Sequence, residues 1–103
     1  MEENRFIATD PQGRIVALTE ECYAFHILVE HPDLSDDNEI AQTIKRPDYI
    51  TLDAIDDDRL VYYRTYRRRP QRLLIKVVVE GNEVVTAYRV KRLKQGETII
   101  WRK

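Results

Sequence analysis

The chain has 103 residues, 43% of them apolar and 34% charged, with a net charge of −1. Its expected organisation is one domain, residues 1–103, with apolar material for a single core. The lone cysteine, Cys22, excludes an internal disulfide, the acidic start MEENRF lacks the apolar stretch of a secretory signal, and no apolar run approaches the ~20 residues of a membrane span. The expectation is a cytoplasmic protein, a monomer or weak dimer, away from membranes.

In chain order, RFIATDPQGRIVALT reads as a small hairpin turning at Asp10–Gly13. Thr19 is placed to cap a helix that Pro32 ends after His31, because the residue before proline is pushed out of the α region. On that helix Cys22, Phe25, Leu28 and Val29 form the expected core stripe, with His26 on one shoulder and His31 near the other. Asp36 and Glu39 open a second, shorter helix around Ile40, Ala41 and Ile44, closed by Pro47. From residue 49 the period becomes two. YITLDA, RLVYYRTYRRR, RLLIKVVVE, EVVTAYRVKRL and the edge strand TIIWRK follow, separated by Asp56–Asp58, Pro70, Gly81–Asn82 and KQGE. The fold class expected is α+β: an N-terminal hairpin and two helices packed on an antiparallel meander of four to five strands.

The net charge conceals a polarity. Residues 1–58 carry 4 Lys/Arg and 15 Asp/Glu, whereas residues 59–103 carry 13 Lys/Arg and 3 Asp/Glu. Such asymmetry points to an anionic partner for the basic half, or to complementation of the two halves within one fold. If Gly81–Asn82 closes a two-residue hairpin, Ile75 faces Tyr88 and Val77 faces Thr86 on one side of the sheet. Lys76 and Arg89 then share the other side with one alternating set of the preceding strand. That set is either Tyr62, Arg64 and Tyr66, or Tyr63, Thr65 and Arg67. Cations interleaved with aromatics suit RNA, charge meeting phosphate and rings meeting bases. Tyr, Thr and Arg are also ordinary residues of an exposed sheet face.

His26 and His31 fit three readings: metal ligands, acid/base groups, or packing. A structural zinc site needs four ligands, usually with paired cysteines, and the chain has one cysteine. Cys22 on a core stripe suits packing better than nucleophilic catalysis. Acid/base chemistry fits the inventory better. Metal-independent RNA cleavage needs a base, an acid and cations around the phosphorane, and histidine titrates near neutrality. Against this, His26 at a core edge and His31 at a helix C-terminus are also places where a histidine serves structure alone.

Four pieces in order, FHILVEHPDL, EIAQTIKRPDYI, YYR and LLIKVVVEGNEVVTAYRV, resemble the small phage-associated nucleases of the barnase/EndoU/colicin/RelE-like superfamily. The likeness runs from about Cys22 to Trp101. It implies a barnase/RelE-like fold and a metal-independent, toxin-type ribonuclease without cofactor. RNA would be the substrate, and an antitoxin or immunity protein a further partner. It implies His26 and His31 as proton carriers, Lys76 and Arg64 as transition-state charge and Thr86 as a phosphate hydrogen-bond donor. Tyr63, Arg64, Tyr88 and Arg89 would hold substrate. The alternative is an inactive domain of the same fold that binds protein or nucleic acid, with the YRRRP turn (66–70) as its contact surface. Catalysis expects His26, Lys76 and Arg64 in one open cleft.

Overall fold

The computed structural model describes residues 3–56 and 58–103. Met1, Glu2 and Asp57, the last from the expected Asp56–Asp58 turn, lie outside the described residues. Strands β1 (Asn4–Thr9) and β2 (Ile15–Thr19) form the N-terminal hairpin. Its turn is closed by Asp10, whose carboxylate Oδ1 accepts from the backbone N–H groups of Gln12 (2.8 Å) and Arg14 (2.9 Å).

Helix α1 occupies residues 20–30 and opens as expected, with the Thr19 hydroxyl accepting from Cys22 N–H. Its middle, Tyr23–Ile27, widens into a π-helical turn. The buried residues are Tyr23 and Ile27, while Phe25 and Val29 are 71% and 69% exposed. The expected stripe is therefore corrected in half: Cys22 and Leu28 pack against the core, and Phe25 and Val29 do not. Tyr23 and Ile27 make an equally good one-turn pair, and tertiary contacts choose between the two faces. Tyr23 donates its hydroxyl to the carbonyl of Leu34 (3.0 Å). The Arg5 guanidinium lies 4.4 Å from its ring centroid while pairing with Glu20 and Asp37. His31 ends the helix, and a 3₁₀ turn, Pro32–Leu34, leads to helix α2 (Asp37–Lys45). The Asp36 side chain caps α2 through Asn38 N–H. Ile40 and Ile44 are fully buried against the sheet, each contributing about 1.5–3 kcal/mol.

Strands β3 (Tyr49–Leu52), β4 (Arg59–Arg67), β5 (Leu73–Glu80), β6 (Glu83–Val90) and β7 (Thr98–Arg102) complete one seven-stranded sheet of order β1-β2-β6-β5-β4-β3-β7. The α+β class stands, and the two hairpin strands and the five strands after residue 49 join in one sheet whose order is not that of a simple meander. The hairpin joins the sheet through a parallel pairing of Ala17 with Glu83, and β7 crosses back to the far edge beside β3. Gly81 takes φ +61°, as the first position of a two-residue hairpin turn allows.

The hairpin β5–β6 contains a bulge between Val78 and Val79, so the register differs from a simple count. Lys76 faces Tyr88, Val78 faces Thr86 and Ile75 faces Arg89. One extra residue moves every later side chain to the other face. The helix side of the sheet packs Leu60, Tyr62, Ile75, Val77, Val79 and Ala87 under α1 and α2. The other side packs Val61, Tyr63, Leu74 and Val78 with Tyr49, Val85, Val90 and Leu93.

Candidate functional site

Tyr62 and Tyr63 adjoin in β4 and point to opposite faces, where each donates its hydroxyl to a buried carboxylate. On the helix side Tyr62 donates to Asp10 Oδ2 (2.6 Å), which also receives the Arg14 guanidinium (3.1 Å). Burial alone would raise the Asp10 pKa. The hydrogen bonds from Tyr62, Arg14 and Gln12 outweigh it and hold the group below its ordinary range.

On the other side Tyr63 donates to Glu97 Oε1 (2.5 Å), which also accepts from the Thr51 hydroxyl (3.0 Å). Glu97 Oε2 lies 3.4 Å from the Lys76 ammonium. Lys76 and Glu97 side chains are only 6% and 1% exposed. The ammonium sits 5.5 Å from the centroids of both the Tyr63 and Tyr88 rings. Burial, then the bond to an anionic acceptor, pushes the Tyr62 and Tyr63 hydroxyls well above their ordinary range. Both phenols therefore stay protonated at neutral pH and donate to their carboxylates, the Tyr63 oxygen also accepting from Lys94 N–H (3.2 Å).

The bulge places Thr86 and Tyr88 on the Lys76 face. His31 reaches the same place from the end of α1, its ring stacked on Tyr88 at 5.2 Å and its Nε2 3.9 Å from Glu30. His31, Tyr88, Lys76, Tyr63 and Thr86 thus form one neighbourhood, to which Glu97 and Thr51 belong. Glu97 lay in KQGE, which reads as an ordinary turn, and only a long-range contact reveals it.

The remaining candidates are elsewhere. Arg64 faces the helices and lies 3.7 Å from Glu39. Arg89 also faces the helices, stacked on Tyr66 at 4.5 Å and paired with Asp33 at 3.3 Å. His26 is exposed beside Cys22, Glu83, Val84 and Val85. It lies about 10 Å along β6 from the Tyr88 position by strand rise. Hence His26, Lys76 and Arg64 do not share a cleft, and Lys76 and Arg89 do not share a face, because the bulge reverses the latter pairing. Among the described residues no three His, Cys, Asp or Glu side chains gather as a metal site, and no helix is long and apolar enough to cross a membrane.

A second assembly lies at the sheet end where β3 begins and β4 and β7 finish. Two adjoining hollows of 340 and 310 Å³ share Asp48, Thr65, Arg68 and Lys103 as common lining. Arg72, Arg102 and Tyr49 line one, and Arg46, Arg64 and Gln42 line the other. Six cations therefore surround a single carboxylate, Asp48. Its Oδ2 already accepts from Thr65 N–H at 2.8 Å. The YRRRP turn and its immediate flanks supply Arg64, Thr65, Arg68 and Arg72, and the sheet topology brings Gln42, Arg46, Asp48, Tyr49, Arg102 and Lys103 to them. Comparisons of the chain with protein-family profiles, curated proteins and solved structures found no match.

Proposed function

We propose that this protein binds RNA through the cationic end of its sheet. The observation that carries the reading is the convergence of Arg46, Arg64, Arg68, Arg72, Arg102 and Lys103 on one trough lined, among the described residues, by a single side-chain carboxylate, Asp48, with Glu39 at its margin beside Arg64. Like charges so gathered repel one another, and a polyanion relieves that repulsion while releasing its own counterions. Lys76, by contrast, is enclosed and paired with Glu97, so it offers no charge to a phosphate at the surface. The acidic remainder of the molecule confines nucleic acid to this end.

The test is fluorescence anisotropy with a labelled mixed-sequence RNA over a salt series. With five or six phosphate contacts to a single strand, log affinity should fall against log salt with a slope of about −3.5 to −4.2. A slope near zero, or no binding in low salt, removes the reading.

One observation favours a second reading, metal-independent RNA cleavage: the bulge in β5–β6 gathers Lys76, Thr86 and Tyr88, with His31 stacked alongside. His31 would carry the proton, and Glu97 would have to release Lys76 before that ammonium met a phosphate. Cleavage of labelled RNA in EDTA by the wild type, lost in His31→Ala and leaving 2′,3′-cyclic phosphate ends, is its expected result. Intact RNA with clean wild type would dismiss it.

A further inference from the structure

The trough has a feature that a plain phosphate site lacks. Asp48 lies at its centre, in the lining of both hollows, where a phosphate oxygen would be repelled. The carboxylate is held in place by its bond from Thr65 N–H, which occupies Oδ2 and leaves Oδ1 as an acceptor for a ligand. Beside it stands Tyr49, the aromatic side chain of the 340 Å³ hollow, with Arg68, Arg72 and Arg102 also in the lining. A carboxylate next to an aromatic ring, ringed by arginines, suits a base inside and phosphates at the rim. Carboxylates accept from exocyclic amino groups such as cytosine N4. A hollow of this size takes one base with its sugar and not the width of a duplex, so that base must be unpaired and splayed from its neighbours.

We infer that the trough selects unpaired nucleotides whose base carries an exocyclic amino group. Asp48 accepts from that group, Tyr49 stacks on the base, and the arginines hold the flanking phosphates. The inference rests on the RNA-binding reading and names the substrate class of that site.

Cytosine and uracil are the same size and differ where Asp48 would read them, so the experiment compares labelled oligo(C), oligo(U) and a duplex RNA of equal length on the wild-type protein. Oligo(C) is expected to bind about tenfold tighter than oligo(U), a preference of the size one base-edge contact supplies. The duplex should bind more weakly than oligo(C). Asp48→Asn keeps an acceptor for Thr65 N–H, so the fold does not depend on the substitution. It should raise affinity for both homopolymers by removing a negative charge, while erasing most of the preference for cytosine. Oligo(U) or duplex binding as tight as oligo(C), or a preference unchanged in Asp48→Asn, overturns the inference. If these RNAs all bind alike and Arg68→Glu/Arg72→Glu abolishes binding, RNA recognition at this end survives and the base selection falls. If none binds, both fall.

Discussion

The two ends of the sheet carry opposite charge and treat it differently. At the end where β3 and β5 finish and β4 and β6 begin stand Asp53, Asp56, Asp58, Glu80 and Glu83, with Arg59 among them and Lys94 near Asp53. That arginine lies 3.2 Å from Glu80 and 3.7 Å from Asp56. The Asp53 carboxylate is tied into its own turn by Asp56 N–H, the main reason its pKa falls below the ordinary range. At the opposite end six cations meet one trough carboxylate, with Glu39 beside Arg64 at the margin. The acidic end draws on its own backbone and its own arginine for compensation. The basic end leaves most of its charge without a carboxylate partner among the described residues. The strands convert a linear polarity, acid before residue 59 and base after it, into a spatial one.

The largest effect should come from the buried pair between the ends. Glu97→Ala leaves the Lys76 ammonium enclosed without its carboxylate and should destabilise the fold by about 3–5 kcal/mol in chemical denaturation. Combining Lys76→Met with Glu97→Gln should recover most of that loss. A Glu97→Ala protein as stable as wild type would break the view that the enclosed Lys76 charge depends on Glu97.

Next in size, Arg68→Glu with Arg72→Glu should weaken RNA binding by about 100-fold in low salt and make the salt slope shallower. A smaller effect concerns Asp10. Its pKa is depressed in the fold, so it contributes stability above its unfolded value of 3.8, and that contribution is lost as pH falls through the lower folded value. Asp10→Asn should cost about 1.5–3 kcal/mol near neutrality and flatten the acid limb of a stability–pH curve. A limb as steep as wild type would contradict the assignment. Smallest of all, Glu80→Lys with Glu83→Lys should change RNA affinity less than about threefold. The eight residues of β5 place that end some 25 Å away, more than two screening lengths at ordinary salt.

Much of the architecture was legible locally. The Thr19 and Asp36 caps, the prolines closing both helices, the Ile40/Ile44 stripe and the Gly81–Asn82 turn each depend on neighbours within a few residues. What was not legible depends on distance or on a single inserted residue. The bulge at Val78/Val79 reversed the faces assigned to Thr86, Tyr88 and Arg89. In α1, two apolar faces compete, and only packing of Tyr23 under Leu34 and Arg5 decides. The return of β7 to β3 brings Arg102 opposite Tyr49, across from Tyr63 on β4, and thereby builds the trough. The excess of base after residue 59 and the YRRRP turn were its traces in the sequence, without any sign that Arg46, Asp48, Tyr49, Arg102 and Lys103 would meet them.

The most direct test is a titration of the ¹⁵N-labelled protein with a single-stranded RNA, followed by heteronuclear NMR. Amides of the non-proline residues in 46–49, 64–72 and 102–103 should shift together and saturate, while those of 53–56 and 80–83 stay in place. Shifts centred on His31, Lys76 and Tyr88, or an absence of shifts at the basic end, would contradict the account.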